Sequence, residues 1–157
     1  MEIRLGNFAD PRVKVLLEYH LREMYAASPP GHVFALDWSG LQKPEISFFT
    51  GWRGDALAAM GALKDLGDST GEIKSMRVAP QHLGQGYGEQ MLRHILAEAR
   101  GRGYTRLSLE TGSGETFEPA LRLYRKHGFQ NGGAFADYEK SAFNQFLHLD
   151  LSTLPPQ

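Results

Sequence analysis

A chain of 157 residues has the length of one domain, and 41% apolar with 22% charged residues place it among chains that bury a core rather than stay disordered. Cysteine is absent, which excludes disulfide scaffolds, thiolate metal centres and cysteine nucleophiles and suits a reducing compartment. Seventeen basic against eighteen acidic residues leave a net charge of −1, too little for a global pull toward nucleic acid or an anionic membrane.

Alternation from Glu2 to Leu5 predicts a short first strand. Asp10-Pro11 then reads as a helix start, with Asp10 as N-cap and Pro11 where a missing N–H costs nothing. Val13, Leu16, Leu17, His20, Leu21, Met24 and Tyr25 form its apolar stripe, and Ser28-Pro29-Pro30-Gly31 ends it. A short second helix is expected within residues 32–43. Glu45 to Trp52 and Ala56 to Leu66 are strand-like runs joined by Arg53-Gly54-Asp55, and a third run, Glu72 to Val78, follows the turn residues Gly67 to Gly71. The three make an antiparallel meander. Within the third, Ile73 and Met76 stand three apart, so the apolar phase shifts as a β-bulge would shift it.

After Pro80 the period becomes helical. Tyr87, Met91, Leu92, Ile95, Leu96 and Ala99 predict a helix over 86–101, stopped by Gly101 and Gly103. Tyr104 to Glu110 reads as a strand. Phe117, Ala120, Leu121 and Tyr124 mark another helix closed by His127-Gly128, with final strands from Phe129 and over Gln145 to Leu151. The order predicts one α/β domain over residues 1–152, a mixed sheet covered by helices, with residues 153–157 as a tail. No run of eighteen apolar residues occurs and the start lacks a basic, then apolar leader, so the expected location is cytoplasmic with no membrane partner.

Glycine is the one compositional excess, 18 of 157 residues against a usual share of about 7%. Three of them alternate in Pro80-Gln81-His82-Leu83-Gly84-Gln85-Gly86-Tyr87-Gly88-Glu89, where a strand hands over to a helix. Such a turn bares main-chain N–H groups at the positive end of a helix and suits a pyrophosphate. A nucleotide P-loop is excluded, because no Lys-Ser or Lys-Thr follows a glycine here. A dinucleotide fingerprint fits poorly: the third glycine comes one position early, Glu89 takes the place of a small residue, and five residues separate Val78 from Gly84. A glycine-rich connection with no ligand is the remaining alternative.

Gln81-x-x-Gly84-x-Gly86 after Val78-x-Pro80 resembles motif A of the GNAT superfamily, the acyl-CoA-dependent N-acyltransferases. Ala120-Leu-Arg-Leu-Tyr124-Arg-Lys-His-Gly128-Phe129 resembles that family's motif B, and the likeness spans about residues 72 to 130. The resemblance implies a mostly antiparallel sheet splayed at one parallel strand pair, flanked by about four helices. It implies acetyl-CoA as cosubstrate, its pyrophosphate on the amides of Leu83, Gly84, Gln85, Gly86, Tyr87, Gly88 and Glu89, with Gln81 bracing the loop and the pantetheine arm pairing along Met76 and Val78. Lys74, Arg77 or Arg93 could add attraction for the phosphates. Tyr124 matches the tyrosine that protonates the departing thiolate, and either Glu110 or Glu72 is the candidate base. One position departs from the pattern: Phe117 stands where the family often has an asparagine.

The histidines show no metal-ligand spacing, so no metal is expected. Aromatic residues within Ser28 to Gln42 and Gly132 to Asn144 are candidates to wall an acceptor site. The expected activity is transfer of acetyl from acetyl-CoA to a primary amine of a small molecule or peptide, by direct attack in a ternary complex. Two alternatives stay open: a silent acyl-CoA-binding regulatory module, and an NAD-dependent oxidoreductase. The expected partners are acetyl-CoA and a small amine, without nucleic acid, and a homodimer is compatible with the chain.

Overall fold

Seven strands hydrogen-bond into one sheet in the computed structural model, which describes residues 1–152; the expected tail lies outside the described residues. In chain order the elements are β1 (Glu2–Leu5), α1 (Pro11–Ala27), α2 (Trp38–Leu41), β2 (Ile46–Arg53), β3 (Ala56–Gly67), β4 (Thr70–Val78), α3 (Tyr87–Gly101), β5 (Arg106–Thr111), α4 (Glu118–Lys126), β6 (Gln130–Asn131) and β7 (Gln145–Asp150). The sheet order is β1-β2-β3-β4-β5-β7-β6. Every neighbouring pair is antiparallel except β4 and β5, which run parallel as the resemblance implied.

Local chemistry explains most boundaries. Asp10 accepts the Arg12 main-chain N–H at 2.9 Å and Pro11 opens α1. The turn between β3 and β4 holds Asp68 and Ser69 at φ 54° and 59°, a pair of positive values whose twist suits a hairpin. Helix α1 buries Val13, Leu16 and Leu17 against Phe48, Trp52, Leu57 and Met60. Helices α3 and α4 bury Met91, Leu92, Ile95, Leu121 and Tyr124 in a second cluster with Phe49, Leu63, Leu107 and Leu109. Burial of each such aliphatic side chain contributes on the order of 1.5–3 kcal/mol.

Three expectations shift. The helix within 32–43 is only Trp38–Leu41, capped by Asp37 accepting from Gly40 N at 2.8 Å. Pro44 discourages helix just beyond it, and residues 32–37 carry no regular element. The strand predicted from Tyr104 begins at Arg106, because the Tyr104 ring packs flush on Gly71, where a Cβ would sit 2.7 Å from it. The strand expected after Phe129 shrinks to Gln130–Asn131 before Gly132 and Gly133.

Candidate active site

Strands β4 and β5 stay in register only from Thr70↔Arg106 to Glu72↔Ser108 and then part. From Ile73 to Val78 the main chain of β4 therefore has no strand partner on its β5 side, while its other side remains paired with β3. The register with β3 slips at Gly61, which faces both Ser75 and Met76, and Ser75 takes φ 57°. This is the bulge predicted from the apolar phase shift. It turns Met76 toward α3: a Cβ on Gly61 would lie 2.8 Å from Met76 Sδ and 2.9 Å from Ile95 and Met91. Glu72 and Lys74 face the 132–144 loop instead, and Arg77 faces α1.

The parted strands open a cleft roofed by α1, the 32–35 segment and α4, and Glu72, Met76, Glu110 and Tyr124 all line it. Glu72 is 2% exposed, yet its Oε2 accepts from Lys74 Nζ at 3.1 Å and from the Tyr138 hydroxyl at 2.5 Å. Lys74 also donates to Tyr138 at 2.7 Å, which closes a three-membered network. Burial and the adjacent Glu72 carboxylate push the Tyr138 phenol far above its ordinary value. Glu110 accepts one hydrogen bond, from Asn144 Nδ2 at 3.1 Å, and Asn144 is itself held by Ser141 and His32. Burial, and then repulsion from Glu72, raise the Glu110 carboxyl to about 7 against the pull of Lys74.

Tyr124 is buried from α4 with its ring edge-on to Phe129, and its hydroxyl finds no partner among the described residues. Burial raises its phenol to about 12, opposed by Arg77. Arg77 donates Nε–H to His20 Nδ1 at 2.9 Å. Burial and that guanidinium drive His20 down to about 3, so the imidazole is a neutral acceptor. Of the aromatic wall candidates, Phe34 and Phe143 line the cleft, whereas Trp38 packs on Phe8 away from it; Phe117, at the position that departs from the motif, lines the cleft as well. Phe117 and Phe143 meet edge-on over Gly112, whose missing side chain leaves room for both rings.

At the far end of β4 the chain makes a 3-10 turn, Pro80–His82, and enters α3. Gly84 and Gly86 have φ 75° and 80°, values glycine adopts freely, and a Cβ at either would meet nothing within 4 Å. Gly88 lies inside the first turn of α3. Leu83 and Gln85 are exposed and Tyr87 is buried, so Tyr87 offers the loop its main chain alone. The Gln81 side chain is exposed and forms no hydrogen bond among the described residues, so no bond of its own ties it to the loop. The Glu89 carboxylate is held by Lys126 Nζ and His127 Nε2, each at 2.8 Å, with Arg93 at 3.6 Å. Lys126 first and His127 next hold it down at about 2, and the contact ties α3 to α4. Arg93 and Lys74 are thus engaged with carboxylates, and Arg77 with His20, away from the loop.

Sequence reading missed Ser75, Asn144, the bonding of the wall candidate Tyr138 to Glu72 and Lys74, and the pairing of His20 with Arg77. The Ser75 hydroxyl is buried at the bulge without a hydrogen-bond partner among the described residues. Among the described residues no group of His, Asp and Glu could hold a metal ion, and no helix is long and apolar enough to cross a membrane.

A mixed sheet parted between two parallel strands, beside a glycine-rich helix start, is the frame of an acyl-CoA-type acyltransferase. Residues 13–129 match the model of the Acetyltransferase (GNAT) family, and the chain belongs to that family and is an acetyltransferase. It is 46% identical over 147 residues to the uncharacterised N-acetyltransferase YsnE of Bacillus subtilis, covering 94% of this chain and 97% of that one. Identity to the uncharacterised N-acetyltransferase YedL of Escherichia coli is 44% over 149 residues, covering 95% and 94%. The fold superposes with a TM-score of 0.70 on a Bacillus subtilis acetyltransferase in complex with CoA, at 22% identity over 96% of this chain and 98% of that one.

Proposed function

We propose that the protein moves acetyl from acetyl-CoA to a primary amine by direct attack in a ternary complex. The carrying observation is the unpaired β5-facing edge of β4 from Ile73 to Val78, which runs from the cleft to the glycine turn. An extended pantetheine arm would pair with that edge, around Met76 and Val78, as an added strand would. Its pyrophosphate would take the free amides at the start of α3, from Leu83 to Glu89. That a structural relative is in complex with CoA supports CoA as the ligand.

The chemistry then falls to the cleft. The amine nitrogen attacks the thioester carbonyl carbon, the C–N bond forms, and the C–S bond breaks as the tetrahedral centre collapses. Glu110 takes the proton the amine loses, directly or through one water, because a carboxylate raised to about 7 is a better base than an ordinary one. The departing sulfur takes a proton from the Tyr124 hydroxyl, which its burial keeps protonated and which no group among the described residues occupies. Exchange with solvent on product release restores both groups. Glu72 holds Lys74 and Tyr138 in place rather than acting as the base.

Thermal melts with acetyl-CoA and with NAD, followed by thiol release over an amine panel, test the reading. Ligand at a hundred times its dissociation constant stabilises by about 2.7 kcal/mol, so acetyl-CoA should raise the melting temperature and NAD should not. Stabilisation by NAD alone would overturn the proposal. Stabilisation by acetyl-CoA with no thiol release from any amine would leave a silent acyl-CoA-binding module.

A further inference from the structure

We infer that the acceptor carries a carboxylate, which Arg77 binds in the cleft while the amine lies toward Glu110: the acceptor is an amino acid or a similar amino-carboxylate. The inference rests on the transferase reading above and names its substrate class.

The charges of the cleft are not all paired. Lys74 is matched by Glu72 at 3.1 Å. Arg77 has no carboxylate within ion-pair distance among the described residues, and burial lowers its affinity for its proton. The groups around it are His20, Tyr19, Tyr124 and Glu23. His20 is a neutral acceptor for Nε–H, the Tyr19 ring lies 5.7 Å from the guanidinium carbon, and Glu23 stays beyond contact, accepting from the Tyr19 hydroxyl at 3.3 Å. Neither Nη of Arg77 makes a hydrogen bond among the described residues, and Arg77 lines the cleft. A half-buried guanidinium without an anion is costly, and its two parallel N–H groups match a carboxylate in geometry.

The CoA phosphates are a poor fit for this cation. Arg77 faces α1, whereas Met76 and Val78 face α3, and no residue from 79 to 89 lines the cleft that Arg77 enters. Its partner must therefore come from the acceptor side. Glu110 lies two residues beyond the last β4–β5 pair, and Arg77 lies five beyond it with one residue absorbed by the bulge. Their strand positions differ by about two residues, roughly 7 Å of rise. Met24, Phe34, Ala120 and Phe143 supply apolar lining in the same cleft, which suits the side chain of a zwitterion held at both ends.

The test compares free amino acids with their carboxamides on the full chain, in the wild type and in Arg77→Met and Arg77→Lys, reading KM for each acceptor and for acetyl-CoA. The wild type should favour the free acid by at least about tenfold in kcat/KM, as expected when a charged hydrogen bond is removed. Arg77→Met should erase that preference, Arg77→Lys should keep part of it, and KM for acetyl-CoA should hold within about twofold. Equal use of acid and amide by the wild type overturns the inference while leaving the transferase reading intact, and so does a rise in KM for acetyl-CoA as the main effect of Arg77→Met. If nothing is acetylated, the transferase reading fails separately, and melts of the CoA-loaded protein decide the inference. Stabilisation by amino acids in the wild type, lost in Arg77→Met, upholds the site, and no stabilisation overturns it.

Discussion

Glu72 and Glu110 face one cleft from neighbouring parallel strands, but among the described residues Glu72 binds Lys74 and Tyr138 whereas Glu110 has only the Asn144 amide. Burial first, and then the nearby Glu72 charge, favour a proton on Glu110. A base must be deprotonated, so kcat/KM should climb with pH through about 7 and level off above it. Glu110→Gln should lower kcat by about 10²-fold or more and remove that acid limb. Glu72→Gln should instead cost stability, about 3 kcal/mol, because Lys74 loses its partner in a buried setting. Steady-state pH profiles and urea denaturation separate the two variants.

Stability should follow the same carboxyl with the opposite sense. The folded-state value of Glu110 is raised, so its stabilising contribution is complete below about 4.5 and is lost as pH climbs through about 7. Glu110→Gln should therefore be more stable than the wild type at pH 8, by about 1–2 kcal/mol once solvent access is discounted, and no more stable at pH 4. Denaturation midpoints at the two pH values check this, and an equal difference at both would contradict it.

Tyr124→Phe keeps the ring contact with Phe129 and removes only the hydroxyl. Turnover should fall by about 10²-fold with the dissociation constant of acetyl-CoA unchanged. Because the phenol stays protonated up to about 12, the wild type should show no alkaline fall from this group across the usual assay range. Unchanged turnover in the variant would remove Tyr124 from the chemistry.

What the sequence made legible was local. The bulge showed in the spacing of Ile73 and Met76, and the glycine turn into α3 in the alternation of Gly84, Gly86 and Gly88, because both are written in a few consecutive residues. The cleft's electrostatics were not legible. His20 and Arg77 are 57 residues apart, and Glu72 and Tyr138 are 66 apart, so each pair exists only once the sheet and the 132–144 loop are folded. His20 read as core by its place on the α1 stripe. It is buried as that stripe predicts, but as the acceptor for an arginine that enters the cleft.

The three glycines of the turn should not respond alike. Gly86→Ala forces a side chain into φ 80° and should cost about 1–2 kcal/mol of stability. Gly88 has no positive φ, and a Cβ there would lie 3.4 Å from Val78, an ordinary contact. Gly88→Ala should leave the free protein as stable or up to about 1 kcal/mol more so, since alanine favours helix. Its new methyl group stands where a pyrophosphate would approach the amides, so affinity for acetyl-CoA should drop about tenfold or more, about 1.4 kcal/mol. Chemical denaturation and calorimetric titration of both variants check the contrast.

Ser75 has its hydroxyl buried at the bulge with no partner among the described residues, on the strand whose free edge the pantetheine arm would line. An unpaired buried hydroxyl costs free energy, so Ser75→Ala should stabilise the empty protein by about 1 kcal/mol, with the φ of 57° no worse for alanine than for serine. If the bound acyl-CoA supplies the missing partner, the same variant loses that bond in the complex. The melting temperature should then rise without ligand, while the increment produced by saturating acetyl-CoA shrinks. An increment equal to that of the wild type would mean that the hydroxyl touches no part of the cosubstrate, and that its burial reflects only the packing of the bulge.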